Sequence, residues 1–172
     1  MANVGIFYGS SSGITRGVAE KLEDIFDGAE LIDMEEDYDD ADQMLEFDVL
    51  LLGSSTWGQG DPQRDWVDAL YDIENEEPDF SGKKVALFGA GDQDAHGEEF
   101  VSALAKMHTL FGKLGAEFVG FWPTEGYEYK FSAAEAEGKF YGLAIDDVNQ
   151  KDLTDSRVEA WSTQVKTELG LS

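Results

Sequence analysis

Val49-Leu50-Leu51-Leu52-Gly53 sets four aliphatic residues in a row ahead of a glycine. The run has neither helical spacing nor alternation, so it fits a strand covered on both faces, as in the middle of a parallel sheet. Two more runs share its form. Val4-Gly5-Ile6-Phe7-Tyr8 is closed by Gly9, and Val85-Ala86-Leu87-Phe88 by Gly89. Helical spacing lies between them: Ile14, Val18, Leu22 and Ile25 before Gly28, then Trp66, Leu70 and Ile73. A helix through Phe100, Leu104, Met107, Phe111 and Leu114 follows. The last helix takes Thr154 as its N-cap, carries Val158, Trp161, Val165 and Leu169, and stops at Gly170. Ala29 to Asp33 and Glu117 to Phe121 read as further strands. Strands alternating with helices predict an α/β fold, a three-layer doubly wound sandwich around a parallel sheet. Pro123 to Gly142 is polar, glycine-interrupted and too long for an ordinary connection. It reads as an insertion interrupting the final strand, which Tyr141 to Ile145 resumes. Residues 1–172 are expected to form a single domain.

Composition narrows the function. Of 172 residues, 42% are hydrophobic and only 3 are proline, which suits a globular chain. Cysteine is absent, so disulfides, thiolate metal sites and cysteine nucleophiles are excluded. No leader or membrane-length apolar run stands out, and a cytoplasmic protein is the expectation. Acids number 37 against 12 bases, a net charge of −25. Nucleic acid and anionic lipid are poor partners for such a surface, whereas a basic protein face is a good one. A salt or solubility adaptation accounts for the charge equally well. Asp33, Glu35, Glu36, Asp37, Asp39, Asp40 and Asp42 fall where no base occurs between Lys21 and Arg64. They lack the glycine and terminal glutamate of an EF-hand loop and read as a solvated acidic rim.

Three loops follow strand ends, where open α/β sheets bind ligands. In Gly9-Ser10-Ser11-Ser12-Gly13-Ile14-Thr15, backbone N–H groups and four hydroxyls converge on a helix N-terminus, an arrangement suited to an anion. There is no P-loop lysine and no GxGxxG, so a monophosphate fits better than a triphosphate with magnesium; a serine-rich helix cap is the alternative. Ser54-Ser55-Thr56-Trp57-Gly58-Gln59-Gly60-Asp61 offers a tryptophan among small residues, a stacking platform or an ordinary surface loop. Gly89-Ala90-Gly91-Asp92-Gln93-Asp94-Ala95-His96-Gly97 lets backbone approach a flat ligand, or again is only a loop.

Taken together, Ser10 to Thr15, Thr56-Trp57, Gly89 to Gln93, Gly142-Leu143-Ala144-Ile145-Asp146 and the insertion make the chain resemble the long-chain flavodoxins from Val4 to Leu169. Flavodoxins are among the folds from which the switch-point rule is drawn, so loops and resemblance are not independent. The resemblance implies a five-stranded sheet in the order 2-1-3-4-5, noncovalent FMN, and monomeric one-electron transfer without substrate chemistry. Ser10, Ser11, Ser12, Gly13, Ile14 and Thr15 would hold the phosphate. Trp57 would cover one ring face, within a loop of Ser55, Thr56, Gly58, Gln59 and Gly60. Gly89, Ala90, Gly91, Asp92, His96 and Glu99 would line the other side, and Asp146 would lie near the ribityl chain. In the family the carbonyl at the Gly58 position turns with redox state. His96 stands where the family usually stacks a tyrosine, which bears on the reduction potential. Implied partners are ferredoxin–NADP reductase and ferredoxin-dependent enzymes.

Other readings of the same architecture fare worse. A receiver domain needs clustered acids after the first strand, where Tyr8-Gly9-Ser10 stands, and a low-molecular-weight tyrosine phosphatase needs a cysteine. An NAD(P)H-quinone reductase is the enzymatic rival, although a net −25 disfavours an anionic pyridine nucleotide. A non-redox FMN-binding module is the third class. His108 reads as a packing histidine, and Phe111 and Trp161 as core.

Overall fold

A computed structural model describes residues 3–171. The chain begins β1 (Val4–Gly9), α1 (Ile14–Ile25), β2 (Glu30–Asp33), α2 (Ala41–Leu45), β3 (Val49–Trp57), β4 (Asp61–Pro62), α3 (Arg64–Glu76) and β5 (Lys84–Ala90). It continues with α4 (Ala103–Lys113), β6 (Glu117–Val119), β7 (Trp122–Pro123), β8 (Glu135–Ala136), β9 (Lys139–Phe140), β10 (Gly142–Ile145) and α5 (Thr154–Leu169). The main sheet runs β10-β5-β3-β1-β2 with parallel pairing throughout this path, and β6 also joins β5. Counting β6 and β10 as one interrupted strand gives the expected order 2-1-3-4-5.

The continuous apolar runs are explained by two separate cores. Phe7, Leu50, Leu52, Val85, Leu87 and Ala144 pack with α3 and α4 residues such as Trp66 and Met107. The intervening Ile6, Leu51, Ala86, Phe88 and Leu143 pack with Val18 and Leu22 of α1 and Trp161 and Val165 of α5. Successive strand residues point to opposite faces, so only an apolar run serves a sheet buried on both. Phe111 and Trp161 are fully buried, and the Trp161 indole N–H donates to Gly120 O at 2.7 Å.

Several boundaries differ from the sequence reading. Gly53 does not end β3: a Cβ there would fall 2.1 Å from the Phe88 ring, so this glycine serves packing rather than a turn. The strand runs on through Ser54 to Trp57 and folds back onto β4, pairing Thr56 with Pro62 and Trp57 with Asp61. The helix expected from Phe100 starts at Ala103, because Phe100 N–H donates to Phe131 O and Val101 adopts φ 48°. Thr154 is not the N-cap; its hydroxyl donates to Asp147 Oδ1 at 2.8 Å and Leu153 takes the cap position. The acidic rim hides α2, which buries Ala41 and Met44 beside Met34 and Phe47. The insertion folds into a small antiparallel sheet, β7-β9-β8, and buries Ala134 and Phe140.

Candidate functional site

The first loop divides its hydroxyls between two tasks. Ser10 Oγ accepts from the backbone N–H groups of Gly13 at 3.1 Å and Arg16 at 3.3 Å, closing the turn on itself. Ser11 Oγ accepts from the Gln63 side-chain amide at 3.0 Å. Among the described residues, the Ser12 and Thr15 hydroxyls make no such bond within the protein. Gly13 is left-handed at φ 93°, and α1 starts without a side-chain cap or an acid in its first turn. Among the described residues, the N–H groups of Ile14 and Thr15 find no protein acceptor. Unpaired N–H groups at a helix start carry positive partial charge and favour an anion. Arg16 points elsewhere, to Asp33 at 2.9 Å.

Gln63 is fully buried ahead of α3. Its N–H donates to Ser54 Oγ at 2.9 Å, so it ties β3 to the first loop, and a Cβ on Gly9 would meet its Oε1 at 2.3 Å. No local pattern marks it, since its partner Ser11 lies 52 residues away.

The β3–β4 hairpin presents Trp57, half exposed at 50%, with its indole N–H on Ser55 Oγ at 2.8 Å. Thr56 Oγ1 accepts from Ala103 N–H at 3.0 Å and fastens the hairpin to the start of α4. Gly58 at φ 54° and Gly60 at φ 95° make the turn.

In the third loop, Gly91 donates its N–H to Ile145 O at 2.8 Å, and a Cβ there would lie 2.9 Å from Phe100. The Asp92 carboxylate accepts from Ala95 N–H, from the Asn149 side chain and from Asp94 N–H. The Ala95 bond leads in holding its pKa below the ordinary value. Asp146 is fully buried and accepts from the backbone N–H groups of Gln93, Val148 and Asn149 and from the Gln93 and Asn149 amides. Burial opposes its ionisation, but the bonds from Asn149 and Gln93 outweigh that and hold its pKa below the ordinary value.

These loops enclose a slot of about 340 Å³. It is lined by Ser12 and Ile14 of the first loop, Ser55, Thr56, Trp57 and Gly58 of the second, and Ala90, Gly91, Asp92 and His96 of the third, with Glu99 just beyond it. Phe100, Val101 and Val148 also line it. Val148 was legible only as an apolar residue in a polar turn, and it is 60% exposed. Asp146 and Gly89 lie behind the wall, Asp146 bracing two loops and Gly89 against Leu104. Gln59 faces an adjoining cleft of about 970 Å³, which shares Gly58, His96 and Glu99 with the slot and adds Asp94, Glu98, Glu128 and Lys130. Gly60 is buried against Glu99. His96 is exposed at the boundary of the two.

A family model described as flavodoxin matches residues 6–161. Flavodoxin 1 of Azotobacter vinelandii is 52% identical over 170 residues, covering 98% of each chain. Flavodoxin 2 of Escherichia coli K12 is 44% identical, covering 97% of this chain and 96% of its own. Among solved structures, Fusobacterium nucleatum flavodoxin bound to flavin mononucleotide superposes with a TM-score of 0.90 at 33% identity, covering 98% of this chain and 99% of that one. The sheet order agrees with these matches, and the chain belongs to the flavodoxin family.

Proposed function

We propose that the chain holds FMN noncovalently and carries electrons singly between redox proteins. The observation that carries this reading is the slot itself, which joins an unpaired helix start to a half-exposed indole and a glycine wall. The donor set fits the group. N–H groups of Ile14 and Thr15 with the Ser12 and Thr15 hydroxyls suit a phosphate without a cation, and Gly91, with no Cβ to press on buried Phe100, lines the slot with backbone alone. Bound FMN supplies a ring that takes up and returns electrons one at a time. Trp57 offers that ring an aromatic face, and Asp146 fixes the loop opposite.

Partners of the reading are proteins with basic faces, such as ferredoxin–NADP reductase and ferredoxin-dependent enzymes, met by the acidic cleft of Asp94, Glu98, Glu99 and Glu128 beside the slot. A monomer in the cytoplasm completes it. Among the described residues no helix is long and apolar enough to cross a membrane. Reductive titration of reconstituted protein tests the function: two separated one-electron steps are expected. A single two-electron step, or failure to bind FMN, would reject it.

A further inference from the structure

Behind the ring-side loop, hydrogen bonds from two distant segments meet on one buried amide. Gln93 is 7% exposed. Its N–H at 3.1 Å and its Nε2 at 2.7 Å both donate to Asp146 Oδ2. Its Oε1 accepts from Glu128 N–H, within the insertion. A few residues on, Gly97 O accepts from Lys130 N–H at 2.8 Å and Phe131 N–H at 2.9 Å, and Phe131 O accepts from Phe100 N–H at 3.0 Å. Ser102 Oγ accepts from Ala133 N–H at 2.9 Å. Phe100, at the edge of the slot, stacks on Tyr129 with ring centres 5.5 Å apart. The stretch that presents Asp92, His96 and Glu99 to the slot is therefore braced from behind by the insertion and the Asp146 turn.

We propose that Gln93 is a positioning residue that couples occupancy of the slot to the order of insertion residues 128–131, and so makes the insertion a brace for the ring-side loop. The inference rests on the FMN reading. The position demands a donor towards a buried carboxylate and an acceptor towards a backbone N–H at once, which a glutamine side chain supplies at this length. Glutamate would set a second carboxylate against Asp146, and methionine would fill the space with neither bond. Coupling between two sites is reciprocal, so a ligand that fixes the loop must stabilise the bonds that hold it.

Amide exchange read residue by residue by NMR, in FMN-free and FMN-loaded protein, tests this on wild type and Gln93→Met. FMN should slow exchange at Glu128, Lys130 and Phe131 in wild type by about fivefold or more, the scale of one neutral hydrogen bond. In Gln93→Met most of that slowing should vanish while Ile6 and Leu22 keep their protection. Binding titrations should show FMN and riboflavin weakened by the same factor, because the ring side and not the phosphate side is loosened. Gln93→Asn keeps the amide but falls one methylene short; it should behave like Gln93→Met and replaces it if that variant does not fold. Wild-type FMN binding without slowing at 128–131 would overturn the coupling alone, as would slowing that survives in the variants or a loss confined to FMN. Wild type that binds no FMN would overturn the function and the coupling together.

Discussion

The four hydroxyls of the first loop are not equivalent. Ser10 and Ser11 have their oxygens engaged by protein donors, whereas Ser12 lines the slot and Thr15 sits in the first turn of α1. Ser12→Ala and Thr15→Ala should each weaken FMN by about 1.5–3 kcal/mol, the range for a hydrogen bond to a charged group. Riboflavin, which has no phosphate, should bind each variant as it binds wild type; a parallel loss in riboflavin would place the phosphate elsewhere. This division was invisible in the sequence, where four hydroxyls in six residues look alike. Separating them takes Gln63, whose reach to Ser11 depends on α3 docking beside β1. Asp146 teaches the same lesson. It was legible as a family position at the slot, but its five hydrogen bonds turn it inward as a brace between loops.

Among elements, the β3–β4 hairpin brings Trp57 and Gly58 to the slot. Gly58 sits at φ 54°, where a β-branched residue is strained by roughly 1–3 kcal/mol. Gly58→Val should narrow the gap between the first and second one-electron potentials of the FMN-loaded protein; an unchanged gap on spectroelectrochemical titration would remove Gly58 from redox control. On α4, the His108 ring stacks nearly parallel on Tyr141, centroids 4.1 Å apart, and meets Phe118 at 4.4 Å. It clamps β6 to the start of β10. Burial pushes its pKa below the ordinary value, so near pH 6 the unfolded chain binds more protons than the folded one. The stability contributed by neutral His108 is thus full above about pH 6.5 and is lost as pH falls through the lower folded value. Urea midpoints measured at pH 8 and pH 5.5 should fall further for wild type than for His108→Phe. Parallel falls would show that the imidazole is not buried enough to matter. Periodicity made the strands and helices legible because both sheet faces are buried. It failed at Gly53 and Phe100, where a ring contact and a loop of the insertion, both remote in sequence, decide the backbone.

For the whole molecule, the net charge of −25 has two consequences of opposite sign with salt. Like charges repel across the compact state, so added salt should raise the melting temperature. On the proposed reading, a basic-faced partner meets the cleft lined by Asp94, Glu98, Glu99 and Glu128, and screening within about 8 Å at physiological ionic strength weakens that attraction. Stopped-flow electron transfer with a basic-faced reductase should therefore slow as salt rises, in the same range where the fold becomes more stable. A rate indifferent to salt would leave the charge with a role in solubility alone. The interrupted edge strand has a different consequence. Ala86 of β5 pairs with Val119, and its very next residue, Leu87, pairs with Gly142. The chain thus leaves the sheet and rejoins it on adjacent rungs, and the detour of residues 120–141 adds nothing to the register on either side. Such a seam is a natural splice point. Direct fusion of Val119 to Gly142 keeps the ladder in step, and a longer guest segment grafted there would enter and exit without forcing any strand to slide.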